Sequence, residues 1–385
     1  MIGVPVGYVL LLLLFFVFFS LSLYFGFREW RQPSDAAPLA MDVDYVRVEN
    51  YFGQSFRAKM REWLAAAEPN GVAAGDLAGA VQRVAPGGEH LLLLPGGRID
   101  GSFGGRGRDA AGADTIIYSE GDLSLAGGAV FPREIYSRGN LASERAVHLQ
   151  AVAADGEMIL GPDNEVARWV DAQGPLRIQS GSVVGSRASS SVAIELEPGV
   201  LVQSLYAPIV TTDAAQTVFG GEAGNDSSFA VSERFEAGRG GPEQGGPPEF
   251  LKNAGGLQME PGTWRVQGDL HVPAGSCLGF NLIVKGTLRT DPGCLFLKDV
   301  KAASVKLGER NHVVGNLTSA DQLELGTGSF VERSVAAGTD ARLAAGVRVG
   351  RPELQAAVSA GGEIILEQNV TVCGKVSAGK GVRTV

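Results

Sequence analysis

The sequence predicts an all-β protein: a parallel, three-faced β-helix in two arrays, preceded by an N-terminal transmembrane helix and a short amphipathic capping helix. Two patterns predict the β-helix. Glycine and aliphatic columns recur about every eighteen residues between Ile117 and Leu205, and a six-residue apolar spacing begins at Val266. An uncharged apolar run from Met1 to Phe27 predicts the membrane anchor, since about 20 apolar residues span a bilayer.

These patterns divide the chain into five segments. We assign residues 1–27 to the transmembrane anchor, 28–95 to a juxtamembrane linker and capping helices, 96–212 to the first β-helix array, 213–262 to an acidic Gly/Pro-rich linker or insertion, and 263–385 to the second array.

The first array is predicted from three columns that run in parallel. The glycine column is followed two residues later by an aliphatic column, and a valine column follows at nearly the same period. Identical side chains can then stack from one turn to the next, and glycine corners turn the chain between faces. The columns are Gly121, Gly139, Gly156, Gly174; Leu123, Leu141, Met158, Leu176, Ile194; and Val130, Val147, Val166, Val183, Val200.

Composition excludes several classes of protein. The chain carries 33 basic and 42 acidic residues, a net charge of -9, without a basic stripe, which disfavours nucleic acid as a partner. Its 54 glycines with only 7% aromatic residues are unusual for a globular enzyme and favour repetitive β-structure. Three cysteines are too few for a disulfide framework and are typical of a reducing compartment.

The anchor is predicted to be single-pass, with the bulk of the chain in the cytoplasm. Tyr8, Tyr24 and Trp30 are placed as interfacial aromatic residues, and Arg28 and Arg31 follow the span while no basic residue precedes it. The alternative is a cleaved signal peptide. It lacks support because there is no basic region before the apolar run and no small-residue cleavage site soon after it.

Two helices and a linker are predicted around the first array. Glu49 to Ala67 has apolar residues at three- and four-residue steps, which indicates an amphipathic helix that covers the open end of the solenoid or, alternatively, lies on a membrane surface. Ala78 to Ala85 is a weaker helical segment. Asp213 to Gly262 is rich in glycine pairs and acidic residues, which is typical of a linker.

The second array contains segments that resemble a known family. His312–Ala320 (HVVGNLTSA), Leu323–Gly328 (LELGTG) and Glu363–Ala378 (EIILEQNVTVCGKVSA) are similar to the rungs of the bactofilins, polymer-forming bacterial cytoskeletal proteins. The resemblance implies a right-handed β-helix, self-assembly without nucleotide, membrane association, and a scaffold role for envelope or cell-shape proteins.

The main alternative function is an enzyme. A hexad spacing also occurs in β-helix acyltransferases of envelope or polysaccharide biosynthesis, where His271 or His312 would be the candidate base, but neither has a partner in the sequence. A pectate-lyase-like site would need clustered aspartates, whereas Asp269, Asp291 and Asp299 lie on different turns of the repeat. A role as turn residues explains these aspartates more simply.

Two other features of the sequence do not predict a catalytic or binding site. A glycine motif from Gly105 to Ala110 matches a dinucleotide fingerprint but precedes a β-repeat instead of a βαβ unit. Arg133, Arg138, Arg145 and Arg168 could form a cationic strip for lipid or a partner, although solvated outward charges are the commoner explanation. We expect no catalytic, cofactor-binding or metal-binding residues.

The favoured function is a membrane-anchored, self-assembling cytoskeletal scaffold. Its predicted partners are the bilayer, other copies of the chain, and envelope proteins. The final rung of the second array has no covering helix in the sequence, so Val370, Val372 and Val376 are predicted to form an open self-assembly edge.

Overall fold

A computed structural model describes residues 11–12, 14–16, 18–19, 50–66, 68–73, 79–100, 115–212 and 248–385. Residues from Asn50 onward form one compact unit, and Met1–Glu49 form another. The larger unit is a parallel β-solenoid of about 13 turns. The solenoid prediction is therefore confirmed.

The described strands of array 1 (residues 79–212, with the hairpin strand that precedes them) follow helix α1 (Tyr51–Ala66). They are β1 (Glu68–Ala73), β2 (Val81–Val84), β3 (His90–Leu94), β4 (Gly97–Ile99), β5 (Thr115–Ser119), β6 (Leu123–Leu125), β7 (Val130–Phe131), β8 (Ile135–Ser137), β9 (Leu141–Ser143), β10 (His148–Leu149), β11 (Val152–Ala154), β12 (Met158–Leu160), β13 (Glu165–Val166), β14 (Trp169–Ala172), β15 (Leu176–Ile178), β16 (Val183–Ser190), β17 (Ala193–Leu196) and β18 (Leu201–Thr211).

Array 2 (residues 248–385) begins with helix α2 (Glu249–Asn253). Its described strands are β19 (Leu257–Glu260), β20 (Thr263–Val266), β21 (Leu270–Val272), β22 (Cys277–Leu278), β23 (Asn281–Thr290), β24 (Leu295–Phe296), β25 (Val300–Leu307), β26 (His312–Val313), β27 (Leu317–Ser319), β28 (Leu323–Leu325), β29 (Phe330–Val331), β30 (Val335–Ala337), β31 (Ala341–Leu343), β32 (Arg348–Val349), β33 (Ala356–Ala360), β34 (Glu363–Leu366) and β35 (Thr371–Thr384).

Each array has three parallel faces, because the strands of each face pair with the equivalent strand one turn later, apart from the antiparallel strands β1, β2 and β19 at the outer ends. In array 1 we call them face A (the column containing β5, β8, β11 and β14), face B (β6, β9, β12, β15) and face C (β7, β10, β13). In array 2 the corresponding faces are A′ (β27, β30, β33), B′ (β28, β31, β34) and C′ (β26, β29, β32).

The aliphatic column of array 1 is confirmed as a stacked core. Leu141 pairs with Met158, Met158 with Leu176, and Leu176 with Ile194, and all four are almost fully buried. The glycine column beside it has no room for side chains. A Cβ atom on Gly174 would lie only 2.7 Å from the backbone of Gly156, so glycine is required for the turns to stack.

The valine column is only partly confirmed: three of its five members are buried in the core, but the five do not stack as one column. Val166 points inward, but Val130 and Val183 are 41% and 37% exposed, while Val147 and Val200 are buried in the preceding corner. The strands of face C have only two residues, so a shift of one position exchanges the inner and outer surfaces. The stacked inward residues are instead Phe131, Leu149, Val166, Val184 and Val202.

The hexad of array 2 is confirmed. Val266, Val272 and Leu278 lie on faces A′, B′ and C′, Val284 begins the next turn on face A′, and all are buried. Six residues therefore cover one face and one corner. The corner glycine Gly275 has a φ of 69°, a conformation that glycine adopts without strain.

Helix α1 is confirmed as a helix but does not cap the solenoid. It lies along the outer surface of face A, where Met60 is buried with Tyr118, Tyr136 and Trp169. The reason is that face A carries apolar side chains on its outer as well as its inner surface, so the helix buries more there. The second predicted helix is also wrong, because the segment that follows Gly79 is strand β2, which pairs antiparallel with β1 and β3.

The segment predicted as a linker, 213–262, contains a helix and a strand at its end. Residues 213–247 lie outside the described residues, and α2 and β19 follow them. Leu251 of α2 is fully buried in the same hydrophobic core as the strands. Phe250, Trp264 and Phe280 are partly buried and pack against that core. Array 2 therefore begins with a capping helix within the segment that the sequence assigned to the linker.

Candidate interaction surfaces

The two arrays meet through their last strands. Strand β18 pairs antiparallel with β35, so that Leu205 lies opposite Val376 and Val210 opposite Val372. We call this contact the junction. Faces A and A′ align across it, and the hydrophobic core is continuous from one array to the other.

The junction corrects the prediction of an open final rung. Val370, Val372 and Val376 are at most 1% exposed, since their strand is paired within the same chain. The sequence could not show this, because the partner strand lies about 170 residues earlier and neither strand carries a sign of its pairing direction.

Two threonines make equivalent hydrogen bonds across the junction. The hydroxyl of Thr212 donates to the carbonyl of Glu367 (2.6 Å) and accepts from the backbone N–H of Val370 (3.0 Å). The hydroxyl of Thr384 donates to the carbonyl of Glu197 (2.7 Å) and accepts from the N–H of Val200 (3.0 Å). The contact between the ends of the two arrays therefore has local pseudo-two-fold symmetry.

The outer end of array 2 presents an exposed strand. All four residues of β19 are exposed, and Leu257 and Met259 are 59% and 53% exposed. Strand β19 pairs antiparallel with β20 on one side. A strand at the end of a sheet that exposes apolar side chains is a surface to which another strand can add.

The surface of face A that holds α1 is both aromatic and acidic. Phe56 packs edge-on against Tyr136 and Trp169, with ring centroids 6.2 and 5.6 Å apart. Arg57 is 7% exposed and binds Asp155 (2.8 Å) and the buried Asp171. The carboxylates of Asp155 and Asp171 come from successive turns. The binding site for the Arg57 guanidinium therefore forms only when the turns stack.

A second buried polar cluster lies on face C′. His312 is 4% exposed, stacks on Phe330 (ring centroids 5.0 Å apart) and bonds through Nε2 to Glu332 (2.8 Å). Arg351 also binds Glu332 (2.6 Å). Nδ1 of His312 is buried without a hydrogen-bond partner. Burial lowers the pKa of His312, although the bond to Glu332 opposes this. Burial therefore favours the neutral form of the ring.

The two candidate histidines are not brought together. His271 is exposed on face B′ and lies 3.0 Å from Asp291, whereas His312 is buried on face C′. Across the part of the chain that the structure describes, no group of histidine, cysteine and acidic side chains could hold a metal ion. The Gly105 motif lies outside the described residues.

The four arginines of the predicted cationic strip each lie beside a carboxylate. Arg133 binds Glu89 (2.7 Å), Arg138 binds Glu120 (3.1 Å), Arg145 binds Asp163 (2.8 Å) and Arg168 lies 3.6 Å from Glu134. Their charge is locally balanced, so they do not form a continuous positive surface.

The remaining candidates have structural roles. The carboxylates of Asp269 and Asp299 accept backbone N–H groups of the next turn at 2.7 Å. Of the free cysteines, Cys277 is exposed and the other two are buried. Burial raises the pKa of the Cys373 thiol to about 11, which keeps it protonated at neutral pH.

The anchor residues cannot be placed. Tyr8, Tyr24, Arg28, Trp30 and Arg31 lie outside the described residues. The described residues of the predicted span are helical: Leu11, Leu12, Leu14, Phe15, Phe16, Phe18 and Phe19. No helix among the described residues is long and apolar enough to cross a membrane.

These features define a class of protein: a parallel β-solenoid with two arrays joined end to end and a helix along one flank. Comparisons with protein-family models, curated proteins and solved structures return no match to this chain. The functional argument therefore depends on the surfaces described above.

Proposed function

We propose that this chain is a membrane-anchored, self-assembling scaffold of the bactofilin type, which organises envelope or cell-shape proteins at the cytoplasmic membrane without nucleotide. The junction is the observation that carries this proposal. It demonstrates that solenoid ends of this sequence are complementary enough to pair strand to strand, over a continuous core. Strand-to-strand pairing between solenoid ends is therefore a contact that this fold makes, and a second copy would make it at the ends that the junction leaves unpaired.

The membrane location is supported by the sequence of the first segment. The run to Phe27 has no charged residue, and its described residues are helical with exposed apolar side chains. Arg28 and Arg31 follow the run, which favours the cytoplasm for the rest of the chain. The exposed apolar side chains would be stable in lipid and costly in water.

Self-assembly must use an end other than the junction. The outer end of array 2 is the best candidate, because Leu257 and Met259 are exposed and β19 carries a single charge, Glu260. A second copy presenting the same strand would form an isologous antiparallel pair, which resembles the junction in geometry. Pairing at this end alone gives dimers, and a further contact at the outer end of array 1 extends them into filaments.

The acyltransferase alternative has less support. It needs a histidine base at a subunit surface that accepts a proton from substrate, whereas His271 lies 3.0 Å from the Asp291 carboxylate and opposite Arg289 on an exposed face, and His312 is buried. We therefore retain the scaffold as the single proposal.

The test is sedimentation velocity of the full chain in detergent, without nucleotide or metal. We expect the wild-type chain to form dimers or larger species as concentration rises, and Leu257→Lys with Met259→Lys to remain monomeric. Val192→Lys is the matched control, since Val192 is 48% exposed but lies away from the outer ends. A wild-type monomer at all concentrations, or equal assembly of the double variant, would contradict the proposal.

A further inference from the structure

One corner of array 2 is longer than the corner of the turn before it. Val331 on face C′ and Val335 on face A′ are four positions apart in the chain, whereas their partners in the next turn, Val349 and Val358, are nine positions apart. The later turn therefore carries extra residues where the chain passes from face C′ to face A′. We call residues 351–355 the inserted corner.

The inserted corner is a compact loop that an ion pair joins to the preceding turn. Arg351 and Leu354 exchange backbone hydrogen bonds, N–H to carbonyl, of 3.1 and 3.0 Å. The Arg351 guanidinium binds Glu332 (2.6 Å) and lies 5.6 Å from the centre of the Phe330 ring. Because Leu354 is 45% exposed, it contributes little apolar packing, and the contacts of Arg351 hold the loop in place.

The carboxylate that binds Arg351 is shared with a buried histidine. Glu332 lies 2.8 Å from Nε2 of His312, which places the proton of the neutral ring on Nε2 and leaves the lone pair on Nδ1. Among the described residues, Nδ1 has no hydrogen-bond partner, so it is the atom that can accept a second proton. His312 is 4% exposed, whereas the Arg351 side chain is 34% exposed.

Few other charged groups approach the imidazole. It lies between the apolar Leu295 of the preceding turn and Phe330 of the next turn, and the Phe330 ring separates it from Arg348. Burial lowers its pKa, Glu332 raises it, and the Arg351 cation lowers it. The protonation of the ring and the position of Arg351 are therefore coupled through one carboxylate.

Protonation makes two cations compete for this carboxylate. The imidazolium cannot reach water, so its charge is stable only with Glu332 as its partner. The Arg351 guanidinium is partly exposed and can be solvated when it leaves. The charge repulsion between the two cations therefore acts on the more mobile partner, which carries the inserted corner with it.

We propose that the inserted corner is an acid-sensitive switch, in which a proton on His312 takes Glu332 from Arg351 and releases residues 351–355 from the solenoid. This inference is independent of the proposed membrane anchor and of self-assembly. It places a two-state element beside the junction. Burial and the nearby Glu353 carboxylate raise the pKa of the Cys373 thiol to about 11, and the residue after Cys373 pairs with Ala207 of array 1.

The test is hydrogen exchange of the full chain in detergent between pH 7.5 and pH 4.5, with each rate divided by the intrinsic rate of the same peptide at that pH. We expect residues 351–355 to lose protection as the pH falls, while β33, in the same turn, keeps its protection. In Glu332→Gln the inserted corner should exchange rapidly at every pH, because Arg351 has lost its partner. In His312→Gln it should stay protected at every pH.

Two outcomes would overturn the switch. If His312→Gln loses protection over the same pH range as the wild type, a carboxylate titrates and not the imidazole. If β33 loses protection together with the inserted corner, the whole turn unfolds and the corner does not move separately.

A second measurement tests the coupling without removing the histidine. The chain has four histidines, so the ring signals of a ¹³C-histidine-labelled sample can be assigned with His312→Gln. Arg351→Gln should raise the pKa of His312, because the competing cation is gone, and binding reciprocity then requires that protonation weakens the contact of Arg351. Arg342→Gln, which removes a cation paired with Glu367 on face B′, is the matched control and should leave this pKa unchanged. An unchanged pKa of His312 in Arg351→Gln would show that the two cations do not compete for Glu332.

Discussion

At the residue scale, the buried polar side chains on the outer surface of the faces depend on contacts between turns. His312 comes from one turn of face C′ and Phe330 and Glu332 come from the next, while Arg351, from the turn after that, extends over the Phe330 ring. No single turn could bury the imidazole. The cluster is therefore stable only while the turns stack in register, and it should respond to the protonation of His312.

The first prediction concerns pH. Because the folded-state pKa of His312 is lowered from its ordinary value of 6.5, the unfolded chain binds a proton more readily. The stability associated with the neutral ring is complete above about pH 6.5 and is lost as the pH falls through the folded-state pKa. We expect the free energy of unfolding to fall between pH 7.5 and pH 5 more steeply in the wild type than in His312→Gln.

Denaturant unfolding at several pH values, with a His271→Gln control, measures this difference. His271→Gln removes an exposed histidine and therefore controls for the loss of an imidazole as such. Identical pH slopes for the wild type and His312→Gln would show that the imidazole is not the titrating group.

At the element scale, α1 illustrates how a helix is fitted to a solenoid flank. Its apolar residues pack between the outer aromatic side chains of face A, and Gly53 allows close approach, because a Cβ atom at this position would overlap the Asp171 side chain. Arg57 lies within this apolar stripe and is paired with two carboxylates. The Asp155 carboxylate also accepts the hydroxyl of Tyr136 (2.7 Å).

The second prediction is that Arg57 fixes α1 to face A. Arg57→Met leaves the buried Asp171 without its cation, which should cost about 3–5 kcal/mol, since an unpaired buried charge is strongly unfavourable. Trypsin cleavage at Lys59 and Arg61 should accelerate as the helix detaches. Lys59→Met, whose side chain is 48% exposed in the wild type, is the control for stability and should change it by less than about 1 kcal/mol.

Adding Asp171→Asn to Arg57→Met should recover part of the lost stability, because the buried charge is then removed. If the double variant is as unstable as the single one, the loss comes from packing of the arginine side chain and not from the unpaired carboxylate.

At the scale of the whole molecule, the junction determines which surfaces remain available. It pairs the two last rungs, so the outer ends of the solenoid are the amino ends of both arrays. On the outer end of array 1, the antiparallel strands β1 and β2 extend the sheet beyond β3. The chain thus has two chemically different ends and one continuous core.

The third prediction concerns the strength of this junction. Val376→Lys places an ammonium group in a fully buried position opposite Leu205. If the group stays buried, the free energy of unfolding should fall by about 3 kcal/mol or more. We expect β18 and β35 to separate locally and their backbone amides to exchange hydrogen faster. Ser377→Lys, the half-buried and outward-facing neighbour, should leave exchange unchanged. Protected amides in Val376→Lys would mean that the junction tolerates a buried charge or re-forms around it.

The sequence by itself determined the solenoid, because a stacked turn must repeat its inward residues. The column through Leu141 and Leu176 and the hexad from Val266 followed from that requirement alone. The valine column failed where strands have two residues, since such a short strand does not distinguish its inner from its outer surface.

Only the tertiary structure decided where the ends and flanks meet. An amphipathic pattern shows that α1 has an apolar face but not which surface receives it, and the outer aromatic residues of face A become a groove only after the turns stack. Likewise, nothing local to Val372 or Thr384 shows that their strand pairs with β18, because pairing between distant strands depends on complementary geometry and not on local sequence.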